Sequence, residues 1–360
     1  MSDLIEYKCP ACGGAMEFDS ETQKMKCPFC DTERSVEAFN GDQQENKGGA
    51  AGRSVWEALG KGQWKQGETE GMKVYSCESC GGEIVAEETT GASACPFCGN
   101  RVVMKQQFAG DLKPDYIIPF KLDKKAAKAA YHKHLTGKTF LPKIFKKENH
   151  IDEIKGVYVP FWLFDAAAEA NIRYDAECIR TWENGDTEYT EHEFYQLQRS
   201  GSIRFEHIPA DCSKKMDDTL MESIEPYHFK DAVPFQTAYL AGYVADRYDV
   251  EMEACIQRAR ERIRRSAEIS FRKTVKNYHS VTVAQSRVEV QSAQYWYVLY
   301  PVWLLNTTWK EEKYLFAMNG QTGKMVGDLP FDKAAFWKYV AARGVAAGAV
   351  IYALMWALLL

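Results

Sequence analysis

Tyr7-Lys8-Cys9-Pro10-Ala11-Cys12-Gly13-Gly14, then fourteen residues after Cys12, then Cys27-Pro28-Phe29-Cys30, is the first copy of an internal repeat. The second copy is Tyr75-Ser76-Cys77-Glu78-Ser79-Cys80-Gly81-Gly82, fourteen residues, and Cys95-Pro96-Phe97-Cys98. Two residues between cysteines let a tight turn aim both sulfurs at one ion, and two such knuckles complete a tetrahedral four-sulfur site. Glycine after a knuckle lets the backbone fold over the thiolates at positive φ. Gly13, Gly81 and Gly99 hold that place, and Asp31 holds it after Cys30. The pattern therefore predicts two closed sites, one of Cys9, Cys12, Cys27 and Cys30 and one of Cys77, Cys80, Cys95 and Cys98. Zinc is the expected ion in both, with iron in a rubredoxin-like site as the rival metal. A ribbon this small has too little core to fold without its metal. Four protein ligands leave no coordination position for a substrate, so the two ions are expected to be structural.

The surroundings of the repeat support metal over disulfides. Eight of the eleven cysteines lie in these four pairs, leaving Cys178, Cys212 and Cys255 scattered. The first residues have no basic region and no apolar run, so no secretory signal is expected and the thiols should stay reduced. Charge bears on the partner. Residues 1–40 carry four Lys/Arg against eight Asp/Glu, and residues 72–105 carry three against four. A zinc bound by four thiolates adds two formal negative charges, whereas phosphate binding needs the opposite sign. Protein contacts are favoured for the ribbons and nucleic acid is disfavoured. The chain as a whole has a net charge of -5.

The expected organisation is an α+β protein: zinc ribbon 1 at 1–39, a Gly-rich linker with a short helix at 40–70, zinc ribbon 2 at 71–105, an α+β domain with an antiparallel sheet at 106–332, and a membrane-anchoring helix at 333–360. Within the central domain, 124–135 reads as a helix. Met252, Ile256, Ala259, Ile263, Ala267, Phe271 and Val275 step by three or four along a second, longer one at 251–278. Strands are expected at 156–173, 282–291, 295–309 and 313–317, with a turn at 319–324 and a last short strand at 325–326. Tyr158-Val159-Pro160-Phe161-Trp162-Leu163 is echoed by Leu299-Tyr300-Pro301-Val302-Trp303-Leu304, which suggests two related β units.

The final seventeen residues, 344–360, carry no charge. As a helix they rise about 25 Å against a hydrocarbon core of about 30 Å. Phe336, Trp337 and Tyr339 would supply an interfacial belt, with Lys333, Lys338 and Arg343 on that side. This predicts a transmembrane helix in contact with membrane lipid, single-pass or tail-anchored, with the bulk of the chain in the cytoplasm. Two basic stretches, 121–147 and 258–276, could face anionic lipid, or be solvated helix faces.

Residues 216–227, 239–250 and 319–324, together with the paired ribbons and the apolar end, resemble a bacterial family usually labelled TFIIB-type zinc-ribbon proteins. The resemblance implies a setting beside SPFH/flotillin-like and phage-shock-protein-A-like proteins in membrane-stress responses. The expected function is a membrane-anchored zinc-ribbon adaptor that recruits such proteins. The alternative is a zinc-ribbon nucleic-acid-binding factor in transcription or replication. No serine elbow, phosphate loop or paired-carboxylate motif is present, so no enzyme is expected.

Overall fold

A computed structural model of the chain describes residues 7–39, 53–54, 64, 69, 72–77, 79–87, 95–97, 103–107, 112–146, 151 and 153–359. The linker expected at 40–70 lies almost wholly outside them. In chain order the strands are β1 Glu17–Asp19, β2 Lys24–Lys26, β3 Glu33–Arg34, β4 Arg53–Ser54, β5 Met72–Ser76, β6 Glu83–Glu87, β7 Val103–Gln107, β8 Tyr116–Ile117, β9 Lys155–Asn184, β10 Thr187–Asp211, β11 Val233–Pro234, β12 Val244–Asp246, β13 Ser280–Trp309, β14 Glu312–Asn319 and β15 Met325–Gly327. The helices are α1 Lys124–Leu135, α2 Asp218–Ser223, α3 Met252–Arg272 and α4 Lys333–Leu359.

The expected α+β class is corrected: the protein is mostly β-sheet, 42% strand against 27% helix. Two 30-residue strands, β9 and β13, carry the difference. They pair antiparallel from Lys155 to Glu177, and β10 lines the other edge of β9 through a hairpin. The burial pattern along β9 explains its length. Residues 157–164 are buried without interruption, as in a strand covered on both faces. From Ala166 onward burial alternates: Ala166, Ala168, Ala170, Ile172, Tyr174 and Ala176 are buried, while Glu169, Asn171, Arg173 and Asp175 are exposed. One face there is covered and the other meets solvent. The cover is α3, where Met252, Ala259, Ile263 and Ala267 of the predicted stripe are buried; Cys255 joins them, Ile256 and Phe271 are only partly buried, and the helix ends at Arg272 rather than at 278. Alanines on both the helix and the strand let the two backbones lie close. The two echoing segments at 158–163 and 299–304 prove to be neighbours, with Pro160 opposite Leu299 and Tyr158 opposite Pro301.

The sheet is mixed, where an antiparallel one was expected. β12 runs parallel to β9 and β8 runs parallel to β13. β12 also pairs with β6, placing Ala245 opposite Val85. The second cysteine module therefore continues the central sheet in the order β13-β9-β12-β6-β5-β7. The first module forms its own three-stranded sheet, β1-β2-β3. It is pinned to the rest by the Phe18 amide donating to the Ala241 carbonyl at 3.1 Å and by a hydrogen bond between the Tyr7 and Thr237 hydroxyls. Phe120, Tyr243 and Tyr158 fill the space between, with the Phe120 and Tyr243 rings stacked at 4.3 Å. Gly156 lies against this stack: a Cβ there would sit 2.5 Å from a Tyr243 ring carbon and 3.2 Å from Phe120. Gly156→Ala is expected to cost about 1–3 kcal/mol by overpacking, read as a lowered urea midpoint with an unchanged m-value.

The C-terminal expectation is also corrected. Among the described residues no helix is long and apolar enough to cross a membrane. The 27 residues of α4 include Lys333, Lys338 and Arg343. The uncharged remainder, 344–359, spans only about 24 Å against a hydrocarbon core of about 30 Å. The transmembrane helix and the single-pass or tail-anchored location fall with that finding. The first turns of α4 are held by the protein instead. The Asp332 carboxylate accepts from the amides of Ala334 and Ala335, and Phe140 packs edge-on against Phe336 and Tyr339.

Candidate metal centres

Each cysteine pair opens a hairpin whose own hydrogen bonds aim the sulfurs. In the first module the Cys9 amide donates to Gly14 and the Gly13 amide donates back to Cys9, at 2.7 and 2.8 Å. The second knuckle repeats the scheme between Cys27, Asp31 and Thr32 at 3.0 Å. The turn needs a positive φ after each pair, and Gly13 (74°), Asp31 (56°) and Gly81 (69°) all adopt it. Asp31 holds its left-handed conformation beside Lys26, its carboxylate 3.2 Å from the ammonium. In the second module Cys77 bonds to Gly82 and Gly81 with the geometry of the first.

Cys9, Cys12, Cys27 and Cys30 bring their sulfurs together, as do Cys77, Cys80 and Cys95, all within 4.8 Å of one another in each group. Cys98 lies outside the described residues. Separations of 3.4 Å for Cys9–Cys30, 3.5 Å for Cys12–Cys27 and 3.7 Å for Cys80–Cys95 far exceed a sulfur–sulfur bond. A tetrahedral ion with metal–sulfur bonds of about 2.3 Å requires sulfur separations of about 3.8 Å. The clusters are thus sized to hold metal ions, and their all-sulfur donor set suits a soft or borderline cation. Crowding makes the thiols share protons unequally. Burial opposes ionisation of Cys9, but the backbone amides of Cys12 and Ala11 with Cys30 and Thr32 bring it down to about 6. Cys30 is lowered as well, chiefly by the Thr32 hydroxyl.

The two modules differ in one respect that their identical Cys-Pro-Phe-Cys sequences do not announce. In each, the phenylalanine folds over the glycine of the partner knuckle, Phe29 over Gly14 and Phe97 over Gly82. Phe97 is then buried in the central core, its carbonyl accepting from the Asn306 amide. Phe29 is 77% exposed. The same ribbon carries two ion pairs, Lys24 with Glu33 and Lys26 with Asp31.

Polar and titratable residues away from the cysteine clusters take structural places. Asp217 caps α2, accepting from the Leu220 amide at 2.9 Å, and Asp218 pairs with Arg258. His134 contacts the Gly327 carbonyl at 3.2 Å. Arg262 grips Glu225 through two contacts of 3.0 and 2.7 Å. The basic stretch at 258–276 therefore gives up Arg258 and Arg262 to internal ion pairs. Cys212 and Cys255 are buried, and burial raises both thiols. Two of the three stretches that carry the family resemblance, 216–227 and 319–324, meet in one clasp. Buried Asn319 donates to the carbonyls of Ile224 and Pro226 and accepts from the amides of Gln321 and Thr322, while Lys324 reaches the Glu225 carbonyl at 2.7 Å. The 239–250 stretch supplies Ala241 to the first ribbon and β12 to the second. An open cleft of about 520 Å³ lies between the first ribbon and the central sheet, lined by carboxylates and lysines together, among them Asp19, Asp123, Lys124 and Lys155.

No family model matches the chain, and no solved structure matches it. It is 34% identical over 336 residues to a Bacillus subtilis (strain 168) protein described as "Uncharacterized protein YdjG", an alignment covering 93% of each chain.

Proposed function

Because the chain belongs to the same family as YdjG, we propose for it a role that its own residues support: an adaptor that recruits protein partners through ribbons held by zinc. Cys9, Cys12, Cys27 and Cys30 would hold one ion, and Cys77, Cys80 and Cys95 with Cys98 the other. Zinc would cross-link the ribbon and keep its four cysteines as thiolates, leaving the site a net charge of about −2, and a closed thiolate shell offers no place for a substrate.

The observation that carries this reading is the contrast between the two phenylalanines. The second ribbon spends Phe97 on the core of its own chain, whereas the first holds Phe29 in solvent on a rigid knuckle. An exposed aromatic anchor on a preorganised turn is the usual chemistry of a protein-binding hot spot. The acidity of both ribbons is wrong for phosphate and suits a partner with basic groups at its rim. The family resemblance points to SPFH/flotillin-like or phage-shock-protein-A-like proteins as those partners.

A pull-down with Phe29→Ala tests the proposal. Metal content and the unfolding midpoint should stay as in the wild type. Partner binding should weaken roughly thirtyfold, as for loss of an anchor contributing about 2 kcal/mol. Recovery of the same partners at the same affinity would refute recruitment through the first ribbon.

A further inference from the structure

The long hairpin outruns everything that supports it. β13 first meets β9 at Ser280 opposite Glu177, and α3 ends at Arg272, with Val275 and Tyr278 as its last packing residues. Residues 178–194 continue as a two-stranded tip for about 23 Å. The Ile179 amide still donates to His279 Nδ1 at 3.0 Å, and beyond it no described strand pairs with either edge of the tip. A bare two-stranded ribbon is marginal in water. This one nevertheless holds Trp182 and Tyr189 stacked at 5.7 Å and exposed, on the face that α3 covers lower down. Glu191 and Glu193 share that face, and Glu183, Asp186 and Glu188 crowd the turn, against the single cation Arg180.

The complement to this surface is on the same molecule. The outward side of α3 presents Arg265, Ile269 and Arg272, followed by Lys273 and Lys276, all exposed. Ile269 is 49% exposed amid these cations. We propose that the hairpin tip docks on the outward side of α3 from a second copy of this chain. Where α3 ends, the sheet loses its helical layer. A second copy, facing the first with its direction reversed, would lay its α3 into that step and receive the first copy's helix in its own. Aromatic rings then meet Ile269 while carboxylates meet Arg265, Arg272 and Lys276. The contact is made twice about a two-fold axis, so it closes as a dimer and leaves no free end. Acidic ligands are repelled by the tip, which excludes nucleic acid and anionic lipid as its occupant.

Sedimentation velocity on the full chain provides the test. Wild type should dimerise, at least about tenfold more weakly at high salt than at low salt because exposed charges are screened. A tip variant, Glu191→Lys with Glu193→Lys, and a helix variant, Arg265→Glu with Arg272→Glu, should each be monomeric alone. Mixed one to one they should form a heterodimer, because both of its contacts regain opposite charges. Trp182→Ala should weaken the dimer without changing the far-ultraviolet circular dichroism. Association that ignores salt and both reversals, as contact through apolar α4 would, overturns the proposal. So does a mixture that stays monomeric. A wild-type monomer that instead binds a poly-arginine peptide assigns the tip to a different basic protein and overturns self-docking.

Discussion

Stripping metal with a chelator under reducing conditions is expected to lower the unfolding midpoint by more than about 10 °C, and serine at Cys27 should do the same. Structural zinc contributes up to about 10 kcal/mol in small ribbons, and each kcal/mol shifts the midpoint of a large domain by roughly 2 °C. The loss should extend beyond residues 7–39. Cys9, Met16, Phe18, Met25 and Cys27 belong to the same buried cluster as Tyr158 and Phe316 of the central sheet and Tyr239 beside it. Releasing the four sulfurs lets Phe18 leave Tyr239, whose ring it meets at 5.1 Å, and opens the core to water. Chelation in the presence of a thiol, followed by calorimetry and by hydrogen exchange at the Phe18 and Ala241 amides, separates the possibilities. An unchanged midpoint with metal removed would mean that the ribbons fold on side chains alone.

What could be read in advance divides along the range of the interactions involved. Local order was legible. The knuckles are set by bonds within six residues of each cysteine, α1 occupies 124–135 as its Ala- and Lys-rich sequence predicts, and most of the α3 stripe follows from period. Strand partners were not. β6 joins β12 across about 160 residues, and only packing, not any local signal, makes the second ribbon part of the central sheet. The segment 174–211 gave no strand signal because half its residues face water and its hairpin turn, Gly185-Asp186, sits among charges. The apolar end of the chain illustrates the opposite error. The expectation read Lys333, Lys338 and Arg343 as an interfacial flank to a slightly short span, whereas the same three cations sit within the helix and leave an apolar stretch too short to cross. Phe29 and Phe97 could not be told apart from the sequence, since their local sequences are the same.

Asp246 yields the second large effect, through pH. It ends β12, is buried, and its Oδ2 has no hydrogen-bond partner. Desolvation pushes its carboxyl up to about 8, against the opposing pull of the Ser213 hydroxyl and the Arg247 amide. The unfolded chain releases this proton near the ordinary aspartate value of about 3.9. Between those two values the native state holds one more proton than the unfolded state. Stability from this group is therefore fully present below about pH 4 and is lost as pH rises toward 8. Each unit corresponds to about 1.4 kcal/mol, so the loss across the window amounts to several kcal/mol. Asp211, raised to about 7 by burial against the pull of Arg258, adds a slope of the same sign. Asn reproduces the shape of the protonated acid and cannot ionise. Asp246→Asn should therefore match wild type only at or below about pH 4, and its advantage should grow with pH until it exceeds the wild-type midpoint at pH 8 by at least about 5 °C. Thermal unfolding of both proteins across that range is the measurement. Parallel curves would show that Asp246 is ionised in the fold and matched by a cation or water.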